Sequence, residues 1–114
     1  MNFEVMHFSK VEENEVVMEG VKNTFIRWLI IGPNFAMRMF RVKPGGYTPY
    51  HSHDWEHEVF ILKGKVKIRC GDKEETGEKD YFAYIPPNTK HQFINIGEEE
   101  AVFLCIIPDK GVKK

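Results

Sequence analysis

Cysteine is scarce in this chain. Cys70 and Cys105 are the only two, and they stand in no CxxC or zinc-knuckle spacing. A small secreted domain usually leans on several bridges, so two free buried thiols in a reducing cytoplasm are expected, with a disulfide left open. Charge of one sign is also missing. The 16 basic and 17 acidic residues interleave along the chain to a net charge of -1. Without a basic tract, a nucleic-acid partner has no electrostatic support. Long apolar runs are absent as well. Trp28–Ile31 and Val59–Leu62 are far too short to span a bilayer, so no membrane partner is expected. The opening residues, MNFEVMHFSK, lack the charged-then-apolar order of a secretion signal. No stretch keeps a helical period, and no linker, repeat or low-complexity segment divides the chain.

What is present is apolar and aromatic. Hydrophobic residues make up 42% of the 114 positions and aromatics 13%, enough for one closed core, so residues 1–114 are read as a single domain. Short runs rich in Val, Ile, Phe and Tyr alternate with turn residues. They predict strands near 3–8, 15–19, 24–31, 35–43, 47–53, 57–63, 66–70, 74–77, 81–85, 91–96 and 100–107. Gly32-Pro33-Asn34, Pro44-Gly45-Gly46, Gly71-Asp72 and Pro86-Pro87-Asn88 punctuate them, and Gly64 and Gly97 are placed as hairpin turns. The polar tail 111–114 is expected to fray. Many short strands at regular spacing predict an all-β sandwich or barrel.

Four of the five histidines cluster: His51, His53 and His57 in GYTPYHSHDWEHEVFILKG, and His91 in IPPNTKHQFIN. Their even spacing puts the first three imidazoles on one side of an extended segment. Neutral imidazole suits zinc, iron, copper and nickel, and metal sites draw ligands from separated strands. One metal ion held by these side chains is the expectation. The remaining histidine, His7, has no such partner and is read as structural.

These residues resemble the motifs of a small single-domain cupin. The first cupin motif, G-x5-H-x-H-x(3,4)-E-x6-G, is met by Gly45, His51, His53 and Gly64, with His57 where most members carry Glu. Glu58 would fit the longer spacing, but the closing glycine selects His57, and Glu58 should face away. The second motif, G-x5-P-x-G-x2-H-x3-N, is met by Pro86, His91 and Asn95. Asp80 and Asn88 replace its glycines, and both residue types tolerate a left-handed backbone. The motifs occupy 45–64 and 80–95.

The resemblance implies an all-β double-stranded β-helix, the cupin jelly-roll barrel, with His51, His53, His57 and His91 on the metal. It also implies a homodimer built from N-terminal strands, for which the apolar run 25–31 is a candidate. An all-histidine set would leave a divalent ion its full positive charge and open coordination positions. Manganese or iron, or copper, would permit redox chemistry. Nickel is possible, and zinc would restrict the site to Lewis-acid roles. The expected function is a metal-dependent oxidoreductase of dioxygenase type acting on a small organic molecule. A non-catalytic binding barrel and a metal-dependent isomerase or lyase are the alternatives.

Other residues are candidates for the pocket. Arg38, in an apolar neighbourhood, could hold a substrate carboxylate bidentately, pair with an internal acid, or face solvent. Phe103, Cys105 and Ile107 share one face of the last strand and could wall the pocket or simply pack the core. Glu56 could orient a histidine or face solvent. Tyr47, Tyr50, Tyr81 and Tyr84 are read as strand residues with hydroxyls near the surface. Ordinary imidazoles would lose metal as pH falls below about 6.5.

Overall fold

The computed structural model describes residues 2–112. Nine strands form one antiparallel sheet: β1 (Asn14–Glu15), β2 (Lys22–Ile31), β3 (Phe35–Tyr47), β4 (His57–Lys63), β5 (Lys65–Cys70), β6 (Lys73–Glu78), β7 (Phe82–Ile85), β8 (His91–Asn95) and β9 (Ala101–Pro108). The order β6-β5-β8-β3-β9-β4-β7, with β2 on β3 and β1 on β2, curls into a nearly closed barrel. No helix among the described residues is long and apolar enough to cross a membrane.

One strand links the two walls. Residues 35–42 of β3 pair with β9, from Phe35 opposite Pro108 to Val42 opposite Ala101, whereas Tyr47 pairs with Ile94 of β8. Between them the chain bends at Gly45, whose φ of +79° is costly for any side chain. A Cβ on Gly46 would stand 2.7 Å from the Lys22 carbonyl oxygen. The Pro44-Gly45-Gly46 signal is therefore a bend within a paired strand, and not the end of one.

Alternation sets what faces inward. Ala101, Phe103, Cys105 and Ile107 of β9 are buried, as are His57, Val59 and Ile61 of β4. Register aligns them in rows across four strands: Val59–Cys105–Arg38–Trp28 and Ile61–Phe103–Phe40–Ile26. Full burial of a side chain such as Phe103 or Ile61 stabilises by about 2–3 kcal/mol. Glu58 points outward, as its odd offset from His57 requires.

Several expectations need correction. The segment 3–8 forms no strand; Phe3 and Val5 are exposed, and Phe8–Lys10 make a 3-10 turn capped by His7. Alternation gives a strand only where the backbone pairs, and here Glu4, Val5, Met6 and Phe8 line a groove with Leu29, Ile30 and Met37 without pairing to β2. The chain joins the sheet later, where Glu13 takes two hydrogen bonds from Arg41 at 2.8 and 3.0 Å. The 15–19 strand shrinks to Asn14–Glu15. Gly64 and Gly97 close no hairpins, because β4 does not pair with β5, nor β8 with β9. At Gly64 the left-handed backbone, φ +83°, turns a corner, and a Cβ there would lie 2.6 Å from the Glu100 carbonyl oxygen. Gly111 and Val112 do not fray: Gly111 closes a 3-10 turn and Val112 packs on the core. Residues 113–114 of the predicted tail lie outside the described residues. Asp80 and Asn88 adopt φ of 74° and 59°, the left-handed backbone anticipated for them.

Buried Asn95 fastens the corner between β8 and β9. Its amide nitrogen donates to the carbonyls of Val42 (2.8 Å) and Glu99 (2.9 Å), and its oxygen accepts from the Gly97 amide (2.8 Å). Asn95→Ala strands these buried backbone groups and should destabilise the fold by about 2–4 kcal/mol, read as a lowered urea midpoint. An unchanged midpoint would show that the corner holds without it.

Candidate metal centre

The histidines meet because of backbone pairing. His51 and His91 face each other in an isolated antiparallel bridge, His51 N–H to His91 O at 3.2 Å and the reverse at 2.9 Å. Two residues that exchange both bonds project side chains to the same face. This bridge is what remains of the strand expected at 47–53. Thr48 extends it: its amide donates to the Phe93 carbonyl at 2.9 Å, and its hydroxyl accepts from the Phe93 amide at 2.9 Å. His53 follows two residues after His51, with its carbonyl accepting from the Asn88 amide at 2.6 Å. His57 opens β4 and is buried.

His51, His53 and His91 offer ring nitrogens that all lie within 4.8 Å of one another. The Nε2 atoms of His51 and His53 are 3.2 Å apart. His57 stands beside this trio, its ring centroid 4.6 Å from that of His91 and 5.4 Å from that of His53. Its Nδ1 is buried and has no hydrogen-bond partner among the described residues. His91 is oriented by its other nitrogen, which lies 3.0 Å from the Thr89 carbonyl. A carbonyl only accepts, so Nδ1 carries the proton and Nε2 keeps its lone pair. The His53 ring stacks on Trp55, centroids 4.3 Å apart and planes 6° from parallel. Trp55 in turn packs on Gly111, where a Cβ would come within 2.8 Å of the indole.

Burial, joined by neighbouring imidazoles and Arg38, pushes the pKa of His51 down to about 4 and that of His57 to about 3. Burial lowers that of His91 as well. These imidazoles are uncharged at neutral pH. Neutral rings, converging lone pairs and an orphaned buried nitrogen on His57 fit a divalent ion bound at this point.

A cavity of about 330 Å³ opens above the four histidines, walled by Trp28, Phe40, Phe93 and Phe103. Arg38 and Cys105 also line it, and Arg38 Nη2 donates to Cys105 Sγ at 2.9 Å. Burial raises the pKa of that thiol, with Arg38 acting in the opposite direction. Ile107 is buried one step further along β9, outside the cavity walls. Glu56 is exposed, and its carboxylate beside Tyr84 raises the pKa of that phenol. Tyr50, Tyr81 and Tyr84 are exposed, and Tyr47 is half-buried. A larger groove, about 1070 Å³, runs along Lys63, Glu78, Lys79 and Glu99, with no histidine in its lining. Sequence reasoning missed Trp28, Trp55, Phe40, Phe93 and Thr48 as parts of the site. Trp28 and Phe40 could have been found by carrying the inward alternation of Arg38 across β2 and β3; Thr48 and Trp55 carry no sequence signal of their role.

Residues 38–107 match the model of the Cupin domain family. The chain belongs to that family. Among solved cupin structures it resembles the polyketide cyclase RemF from Streptomyces resistomycificus, at 29% identity, 95% of this chain, 80% of that one and a TM-score of 0.87. A cupin-2 domain from Rhodospirillum rubrum is 25% identical over 92% of this chain and 74% of that one, with a TM-score of 0.83. Two curated proteins also match. A 1-methylthio-D-xylulose 5-phosphate methylsulfurylase from Rhodospirillum rubrum is 32% identical over 71 residues, 62% of this cupin and 46% of that enzyme. An uncharacterized HTH-type transcriptional regulator from Bacillus subtilis is 33% identical over 59 residues, 50% of this chain and 24% of the regulator. This cupin spans less than half the length of either curated relative.

The depressed pKa values move the pH window for metal loss. With folded values of about 4 for His51 and about 3 for His57 against an ordinary 6.5, proton competition at these two ligands should set in near pH 4 instead of 6.5. Metal-binding titrations of the His53→Ala variant between pH 7 and 4 read it. The same shifts act on stability. Between 6.5 and 4 the unfolded chain binds more protons than the folded one, so the metal-free protein should lose stability as pH falls through that range. Urea titrations at pH 7, 5.5 and 4.5 measure it; a midpoint that rises on acidification would contradict buried neutral histidines.

Proposed function

We propose that this protein is a metal-dependent enzyme acting on a small, enolisable organic molecule held through its oxygen atoms. One observation carries the reading: three imidazoles converge, with His57 beside them, at an aromatic cavity of substrate size. His51, His53 and His91 would hold the ion, and His57 would be the fourth ligand. An ion bound by neutral donors supplies Lewis acidity there, and redox chemistry if it is manganese, iron or copper. The chain's own part is to set the His91 tautomer through Thr89, fix the His53 ring against Trp55, and limit water with the phenyl walls.

Two chemistries compete for this site. An oxidoreductase of dioxygenase type uses the open coordination positions an all-histidine set leaves. Metal-assisted ring closure or isomerisation is favoured by the likeness to the cyclase RemF. The partial match to a transcriptional regulator supports a third reading, a barrel that binds without turnover. Elemental analysis of untagged protein purified without chelators separates them, run beside His51→Ala/His53→Ala. We expect about one divalent ion per chain, lost in the double variant. Manganese, iron or copper with metal-dependent oxygen uptake on enolic compounds supports the dioxygenase. Zinc, without oxygen uptake, supports the Lewis-acid enzyme. Wild-type protein that carries no metal and takes up none would end the metal-enzyme reading.

A homodimer is part of this proposal. β1 covers β2 only at Phe25 and Ile26 among the described residues, while Ile30, Ile31, Phe3 and Val5 are exposed nearby in sequence or on the same strand. An open edge with apolar residues is a pairing surface for a second copy. Both thiols are free, which fits a reducing compartment. Sedimentation should give twice the monomer mass, reduced by Ile30→Lys; a wild-type monomer at micromolar concentration would refute it.

A further inference from the structure

The cavity walls are chemically uneven. Phe93, Phe103 and Phe40 stack in succession, with centroids 5.0 and 5.4 Å apart. Successive near-parallel ring faces favour a flat ligand. Among the described residues Arg38 is the only Lys or Arg in the lining. Its guanidinium carbon lies 5.0 Å from the Phe40 ring and 5.5 Å from the Trp28 ring, and Nη2 donates to a thiol. Its Nε is buried with no hydrogen-bond partner, and no ion pair among the described residues includes it.

Its neighbours behave differently. Arg27 and Arg41, on the same two strands, share Glu13, and Arg69 lies near Glu74. Among the described residues Glu15 is the one carboxylate in the lining, and it is exposed. No internal acid among the described residues pairs with Arg38. Ring faces and a thiol position the guanidinium without neutralising it, and a half-buried cation whose Nε is sealed from solvent calls for an anion.

We propose that the cavity selects small planar aromatic carboxylates that also carry an enolic or phenolic oxygen, the carboxylate on the Arg38 guanidinium and the ring among Phe40, Phe93 and Phe103. This rests on reading the cavity as the substrate site, and it names the substrate class. Arg38 is then the specificity-determining residue.

Calorimetric titration of the purified protein with benzoate and with benzamide, its neutral isostere, tests it. Wild type should bind benzoate about tenfold more tightly or better, the worth of a charge-assisted pair. Arg38→Met should cut that preference below about threefold with bound metal unchanged by elemental analysis. Arg38→Lys keeps the charge and loses the two-pronged fork, so benzoate affinity should drop severalfold while benzamide affinity stays. It decides the matter should the Met variant not fold. Equal wild-type affinities, or a preference undiminished in either variant, would overturn the proposal. Wild-type protein that takes up no metal and still prefers benzoate through Arg38 would sink the metal-enzyme reading and leave this one. Metal-loaded protein indifferent to Arg38 would do the reverse.

Discussion

The backbone bridge between His51 and His91 is the constraint on which the site depends. It joins the residues after the β3 bend to β8, and both hydrogen bonds run between the two histidines themselves. The imidazoles are therefore neighbours before any ion arrives. Thr48 and Phe93 repeat the pairing deeper in the barrel, so the bridge is the last rung of a ladder anchored in the core. His53, two residues beyond His51, falls on the same face, its carbonyl held by the Asn88 amide. Its ring is held from outside by Trp55, which rests on the turn at Gly111. A C-terminal turn thus positions a histidine that the first motif supplies.

Much of this was legible in the sequence because period-2 alternation and left-handed turns are local facts. His57, Val59 and Ile61 alternate with exposed Glu58 and Phe60, and the sequence reads that way. Asp80 and Asn88 stand where glycine usually does, and both take up positive φ. What a local signal does not contain is which strand lies alongside. Gly64 marks a left-handed residue correctly, yet the same backbone serves a hairpin or a corner, and only the pairing of β4 with β7 and β9 decides. The segment 3–8 fails for the same reason: its alternation is real, but its backbone pairs with no strand among the described residues. At the site, the histidine positions were legible from spacing, while their pKa values were not. Burial sets those values, and burial is a property of the closed barrel.

The electrostatics of the cavity follow from one substitution. With His57 where the family pattern places Glu, the histidine cluster contains no anion. A carboxylate there would offset both a bound cation and Arg38. Its replacement by a neutral ring leaves Arg38 acting on the histidines, where it joins burial in holding His51 and His57 uncharged. Neutral imidazoles are the form that binds metal, so Arg38 helps keep the ligands ready while itself remaining without an anionic partner.

That arrangement also limits the chemistry. A divalent ion on neutral ligands, with a nearby guanidinium, would make the cavity net positive, and its phenyl walls could not compensate that. An anionic, flat, oxygen-bearing molecule relieves the imbalance at both points, and a neutral or cationic one at neither. Selectivity then comes from charge and shape together: the rings admit many flat molecules, and the two positive centres discriminate among them. The missing carboxylate at position 57 is in this sense a specificity element, since restoring it would weaken the demand for an anion that the rest of the cavity is built to receive.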